Sequence, residues 1–277
     1  MELFNRTSLE CSKLITERYS TSFTLGIKTL DKKLHFPIYA IYGFVRFADE
    51  IVDTFHDHDR EKLFEDFCKS TWQAIEDGIS LNPVLHAFQL VVREYGIEHG
   101  YIRAFLNSME MDLKQLQFHR NLYDEYIYGS AEVVGLMCLQ VFCQGDTQQF
   151  DKLKDAARSL GAAFQKVNFL RDIKSDYYER GRVYFPKVDF KCFDNCAKAE
   201  IEADIEQDFR NAYAGIVDLP RSARMGVYLA YVYYLKLFRK IQALSATRIV
   251  KERVRVPDNT KLALLLGSYV KYRLNTI

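Results

Sequence analysis

Two Asp-x-x-x-Asp pairs carry the clearest chemical potential in this 277-residue chain: Asp49/Asp53 in FVRFADEIVDTF and Asp172/Asp176 in AAFQKVNFLRDIKSDYY. Residues four apart lie on one face of an α-helix, about 5.4 Å along its axis, so each pair can share or bridge divalent cations. Spacing alone does not single them out, because Asp53/Asp57, Asp151/Asp155 and Asp204/Asp208 repeat it. Their surroundings do. Carboxylates set among Phe, Val, Leu and Tyr need a compensating partner. By contrast, Asp204/Asp208 in EIEADIEQDFR reads as a water-facing helix side, and Asp151/Asp155 as acidic residues favouring a helix N-terminus.

Each favoured pair extends into a polar stripe on an otherwise apolar helix. Arg46, Asp49 and Asp53 form the first; Gln165, Asn168, Asp172 and Asp176, at steps of three, four and four, form the second. A buried polar network would produce the same pattern, but two matching stripes favour a shared site. Magnesium is the expected ion, with manganese as a substitute, because hard cations bridge a few carboxylates to substrate phosphates. Such ions would turn repulsion between carboxylates and a diphosphate into attraction, with Arg46, Arg171 and Arg253 as additional donors.

The elements that must hold these stripes are helices. Five prolines and 13 glycines are few for this length, so long stretches can run uninterrupted. Apolar spacing and stop signals predict helices over roughly 6–18, 36–55, 60–77, 82–95, 98–117, 121–143, 148–178, 197–213, 220–245 and 258–273. The fold expected is all-α, a single domain over 1–277 forming one helical bundle around a central cavity. Gly181-Arg-Val-Tyr-Phe-Pro186 and Arg253-Val-Arg-Val-Pro257 are read as ordered connections, too short and isolated for a sheet.

Composition narrows the function. Lys and Arg number 38 against 37 Asp and Glu, so no bulk field favours nucleic acid. Twenty Phe and 18 Tyr exceed what core filling needs and suit an apolar cavity. Six scattered cysteines, Cys11, Cys68, Cys138, Cys143, Cys192 and Cys196, contain no CxxC pair, which argues against zinc and for a reducing cytoplasm. The N-terminal MELFNRTSLECSKL lacks the apolar centre of a signal peptide. The most apolar stretch, 131–143, is short of the roughly 20 residues that span a bilayer and contains Glu132. A cytoplasmic protein is expected, with contact at a membrane surface left open; oligomeric state has no signal in the sequence.

At these motifs the chain resembles the trans head-to-head isoprenyl diphosphate synthases, the phytoene, dehydrosqualene and squalene synthases, and is closest to the bacterial phytoene type. Tyr19-Ser-Thr-Ser-Phe23 is similar to the family's Ser-x-Ser-Phe segment, and AIYGFVRFADEIVD, 40–53, to its first aspartate motif. Residues 165–176 followed by Gly-Arg-Val-Tyr-Phe-Pro resemble the second motif with its Gly-Arg-x-Tyr-hydrophobe-Pro tail. The resemblance implies an isoprenoid-synthase fold acting on isoprenoid diphosphates. It implies catalytic roles for Asp49, Asp53, Asp172 and Asp176, and metal contacts from these four and Asn168. Diphosphate contacts are implied for Ser20, Ser22, Arg46, Tyr126, Gln165, Arg171, Tyr234 and Arg253. Tyr126-Ile-Tyr-Gly-Ser-Ala-Glu-Val-Val-Gly135 resembles a further segment but puts Ser130 for Val and Glu132 for Gly; Glu132 is expected to contact a neighbouring helix.

The implied mechanism joins two substrates through a cyclopropyl intermediate, with aromatic walls including Phe23, Tyr42 and Phe44 facing the cations. Squalene would require hydride from NADPH; phytoene and dehydrosqualene require only proton loss. No glycine-rich dinucleotide fingerprint occurs. Length and the lack of a C-terminal anchor point away from the eukaryotic squalene synthase form. The expectation is phytoene from two geranylgeranyl diphosphates. The alternatives are dehydrosqualene or squalene from farnesyl diphosphate, or a catalytically inactive helical assembly factor, which the intact aspartates disfavour.

Overall fold

The computed structural model describes residues 1–114, 118–186, 188, 193–274 and 276–277. Helices account for nearly all of it: α1 (Glu2–Tyr19), α2 (Thr21–Lys28), α3 (Lys32–Asp53), α4 (Arg60–Asp77), α5 (Pro83–Tyr95), α6 (His99–Lys114) and α7 (Arg120–Ile127). A π-helical turn, Tyr128–Glu132, joins α7 to α8 (Val133–Cys143). The long α9 (Thr147–Lys174) ends in a second π turn, Ser175–Glu179, before α10 (Asn195–Ile216), α11 (Arg221–Gln242), the short α12 (Ala246–Ile249) and α13 (Asp258–Arg273). The all-α expectation holds. The last three residues of the predicted 98–117 helix, and Cys192, lie outside the described residues.

Local chemistry sets most of the boundaries. Asp59, Asn82, Asp146 and Asp194 accept backbone N–H groups at the starts of α4, α5, α9 and α10. Gly78 and Gly96 end α4 and α5 at φ +70° and +62°, where a Cβ would be strained. Helix α2 falls between two predicted helices. Its Thr24 and Gly26 are weak helix formers, yet it is capped by Ser20, whose hydroxyl accepts from Phe23 N–H at 3.2 Å. Packing against α11 sustains it: an added Cβ on Gly226 would lie 2.6 Å from the carbonyl oxygen of Gly26.

The bundle packs α9 between α8 and α10, α3 against α1 and α5, and α11 against α2 and α13. Phe44 is fully buried and stacks on Phe88, with ring centroids 3.9 Å apart and Phe67 and Phe105 alongside. It is a core residue, which corrects its expected place on the cavity wall: it lies on the α4–α5–α6 side of α3. Asp208 differs from the water-facing reading, whereas Asp204 keeps half of its side chain in solvent, as expected. Both accept from the buried Lys166 ammonium, at 2.6 and 2.7 Å, and so tie α10 to α9. Glu132 contacts Arg158 of α9 at 2.6 Å, as expected.

Because α7, the π turn and α8 run without a break, Arg120–Cys143 is long and apolar enough to cross a membrane by length and composition, contrary to the count on 131–143. Some 61% of its most apolar window is buried within the protein, as in a core helix. Both connecting segments are ordered: Val183 accepts one backbone bond from Phe118, and Val254 and Val256 are buried. Among the described residues the cysteines are unpaired.

Candidate active site

The two aspartate stripes sit on α3 and on the end of α9, and two arginines of the following segment bring them together. Arg180 donates to Asp176 at 2.9 Å and lies 3.4 Å from Asp53. Arg182 donates to Asp53 at 2.7 Å. The π turn makes this reach feasible: Arg180 N–H bonds back to Ser175 and Arg182 N–H to Asp176, while Gly181 turns the chain at φ +70°. Pairs about 120 residues apart in sequence thus face one another across a cleft.

Each remaining aspartate also has a cation. Arg46 donates to Asp49 at 2.6 Å, contacts Glu50, and lies over the Tyr19 ring at 4.4 Å. Asp172 accepts from Arg171 Nε at 3.0 Å and pairs with Arg253, whose Nε lies 2.8 Å away and whose Nη2 donates at 3.5 Å. The charge balance remains uneasy. Burial, then the nearby Asp53 carboxylate, pushes Asp49 up to about 7. Burial and Asp172 push Asp176 up to about 6. Carboxylates that resist ionisation in this way are ones a cation would settle.

An apolar cavity of about 290 Å³ opens beside these residues. Gln165, Asn168 and Ser130 supply its polar lining, and Phe23, Tyr42, Phe142, Phe164 and Tyr234 its aromatic lining. Its remaining walls come from small or aliphatic residues of α2, α3, α8, α9, α10 and α11, among them Gly26, Val45, Val134 and Leu160. Asn168 accepts from Tyr234 at 3.3 Å, Gln165 donates to Ser130 at 3.3 Å, and Tyr234 stacks on Phe164 at 3.9 Å. Burial pushes the Tyr42 phenol up to about 12, so it stays a neutral hydroxyl. The lining has a polar rim continuous with Asp172, four residues beyond Asn168, and a greasy interior. That is the form required to hold a charged head outside and a hydrocarbon chain within.

Most predicted site residues therefore gather here: Asp49, Asp53, Asp172, Asp176, Asn168, Gln165, Arg46, Arg171, Tyr234 and Arg253. Three stand apart. Ser20 caps α2, although it also neighbours the Tyr42 hydroxyl. Ser22 lines a shallow depression with Leu25, Leu229, Tyr233 and Lys261. Tyr126 is corrected: it is buried, and its hydroxyl is consumed by Asp112 at 2.6 Å, leaving no free donor for a diphosphate. Sequence reasoning missed Arg180, Arg182, Asp112 and Tyr184 as site residues. Arg180 and Arg182 flank a glycine within an aromatic run, a signal that was readable; Asp112 had none.

Metal binding fits this donor set in a specific way. Among the described residues no three His, Cys, Asp or Glu side chains converge to hold an ion alone. Hard oxygens in pairs, under electrostatic stress, suit a divalent ion that takes its other ligands from phosphate and water.

The sequence model of squalene/phytoene synthases matches residues 16–260. The chain belongs to that family. It is a prenyltransferase of the head-to-head isoprenoid class. It is 26% identical to a phytoene synthase of Arthrospira platensis, covering 96% of this chain and 94% of that one. It is 28% identical to a 4,4'-diapophytoene synthase of Staphylococcus haemolyticus, over 69% of this chain and 66% of that one. In fold it matches a dehydrosqualene synthase crystal structure with a TM-score of 0.82 at 22% identity, covering 97% and 98% of the two chains.

Proposed function

We propose that this prenyltransferase condenses two geranylgeranyl diphosphates head to head to phytoene, with magnesium at the paired aspartates. The observation that supports it most directly is Arg180, which touches Asp53 and Asp176 at once and so puts both aspartate pairs on one cleft beside the apolar cavity. Asp49, Asp53, Asn168, Asp172 and Asp176 would hold the divalent ions, which supply positive charge for the diphosphate groups.

The chain's own residues do the rest. Arg46, Arg171 and Arg253 can turn from their aspartates to the diphosphate oxygens once cations take the carboxylates. Breakage of the allylic C–O bond of the first substrate releases diphosphate and leaves a cation in the cavity. The double bond of the second attacks it, and loss of a proton closes a cyclopropane. Loss of the second diphosphate, rearrangement and loss of a second proton give the hydrocarbon. Phe23, Phe164 and Tyr234 offer ring faces to the cation, and the apolar lining excludes water.

The likeness to a 4,4'-diapophytoene synthase favours a second reading, with two farnesyl diphosphates giving dehydrosqualene. Incubating the purified protein with magnesium and each diphosphate, with and without NADPH, and identifying the hydrocarbon separates them. Phytoene without NADPH is expected. Squalene dependent on NADPH, dehydrosqualene alone, or no hydrocarbon would each overturn the phytoene reading. A cytoplasmic enzyme passing its product to a membrane surface is the location this reaction implies.

A further inference from the structure

Beneath the first aspartate pair lies a carboxylate that touches no part of the cavity. Asp112, near the end of α6, is 7% exposed. Its Oδ2 accepts from Tyr126 at 2.6 Å and its Oδ1 from Tyr184 at 2.9 Å. Arg182, itself 5% exposed, is pinned above it: Nη2 donates to the Asp112 carbonyl at 3.0 Å and to the Val52 carbonyl at 3.3 Å. Nη1 lies 3.7 Å from Asp112 Oδ1 and donates to Asp53 at 2.7 Å. One buried guanidinium therefore serves two carboxylates, Asp53 at the cleft and Asp112 behind it.

A buried cation pairs with whatever anion is available, because leaving it unpaired costs several kcal/mol. With Asp112 charged behind it, Arg182 is only part of the counter-charge to Asp53. Without Asp112, the full charge of Arg182 would fall on Asp53 and compete with any divalent ion there. Four hydrogen bonds, two from tyrosine hydroxyls and two to main-chain carbonyls, hold the pair so that neither can move out to the cleft.

We infer that Asp112 is a positioning residue of the condensation: by sharing Arg182, it keeps Asp53 available to a divalent cation and its diphosphate. The inference rests on the reading of Asp53 as a metal-site residue.

Binding of Mn2+ in the presence of inorganic pyrophosphate, followed at pH 8 by the paramagnetic resonance signal of free Mn2+, tests it without turnover. Asp112→Asn should weaken Mn2+ binding on the order of tenfold or more in the presence of Arg182. It should change binding less than about twofold in an Arg182→Gln background, where there is no guanidinium left to redirect. A purely structural role would move the melting temperature and leave affinity alike in both backgrounds. Equal affinity of wild type and Asp112→Asn, or an equal loss in both backgrounds, overturns the inference. Arg182→Gln alone removes the competitor and should tighten Mn2+ binding; unchanged or weaker binding overturns the inference even if Asp112→Asn fails to fold. If the wild-type protein binds no Mn2+ with pyrophosphate, the metal reading itself falls, and the inference with it.

Discussion

The metal-free enzyme should lose stability as pH rises from 6 to 8, and a divalent cation should restore it. Asp49, at about 7, and Asp176, at about 6, hold their protons more tightly in the folded chain than in the unfolded one. A carboxyl raised in this way stabilises the fold fully below about 4, and that contribution disappears as pH climbs through about 6 to 7. Between pH 6 and 8 the linkage is worth on the order of 1–2 kcal/mol for the two together, most of it from Asp49. Asp49 keeps 33% of its side chain exposed, so solvent screening reduces the total to about 1 kcal/mol. For a chain of this size that lowers the melting temperature by about 2–4 °C. Calorimetry with EDTA at the two pH values measures it, and Asp49→Asn, which has no proton to lose, should show a smaller slope, the remainder coming from Asp176 and from Asp112, which burial also pushes up to about 6. Magnesium with pyrophosphate should raise the wild-type melting temperature more at pH 8 than at pH 6. An identical slope in wild type and Asp49→Asn would refute the charge-stress reasoning.

Asp172→Asn should cut turnover by about 10³-fold or more while the protein stays folded, because it removes charge facing the cleft and keeps shape; steady-state kinetics and circular dichroism together check this. Gly161→Ala sets two effects against each other. Helix propensity favours alanine by about 1 kcal/mol, but the new Cβ would sit 2.5 Å from the Ala131 carbonyl oxygen and 3.2 Å from Glu132 Cα, a backbone clash worth about 1–3 kcal/mol. A net loss in melting temperature is expected, and a gain would show that the contact between the Tyr128–Glu132 π turn and α9 yields easily. Phe44→Leu should cost about 1–3 kcal/mol in chemical denaturation and leave the turnover of folded protein nearly unchanged. Phe164→Leu, which loses the stack on Tyr234, should lower turnover by about tenfold.

What was legible in the sequence was whatever local pattern decides. The stripes at Asp49/Asp53 and Asp172/Asp176 stood out because charged residues at helical spacing interrupt apolar runs, and the structure brings both to one cleft. Helix α4 matches its predicted span because Asp59 and Gly78 are strong start and stop residues. Features decided by distant partners were not legible. Asp112 in NSMEMDLK looks like one more polar residue on a helix, and its importance comes from Tyr126, Tyr184 and Arg182, up to 72 residues away. Phe44 and Tyr42 are two residues apart on α3, but only packing shows which turns to the core and which to the cavity. Asp208 looked solvated until Lys166, 42 positions earlier, reached it.

The π turn at Ser175–Glu179 makes residue count as consequential as residue type. A π turn holds one more residue than an α turn, so it shifts the phase of everything after it by about 100°. Substitutions there change one side chain at a time. Deleting any single residue from this turn would restore an α-helical phase and leave Arg180 and Arg182 intact as amino acids. It would also swing both away from Asp53, parting the two halves of the cleft. Asp176 apart, substitution should therefore be tolerated far better than deletion or insertion along this turn, and a library that varies length there separates the two.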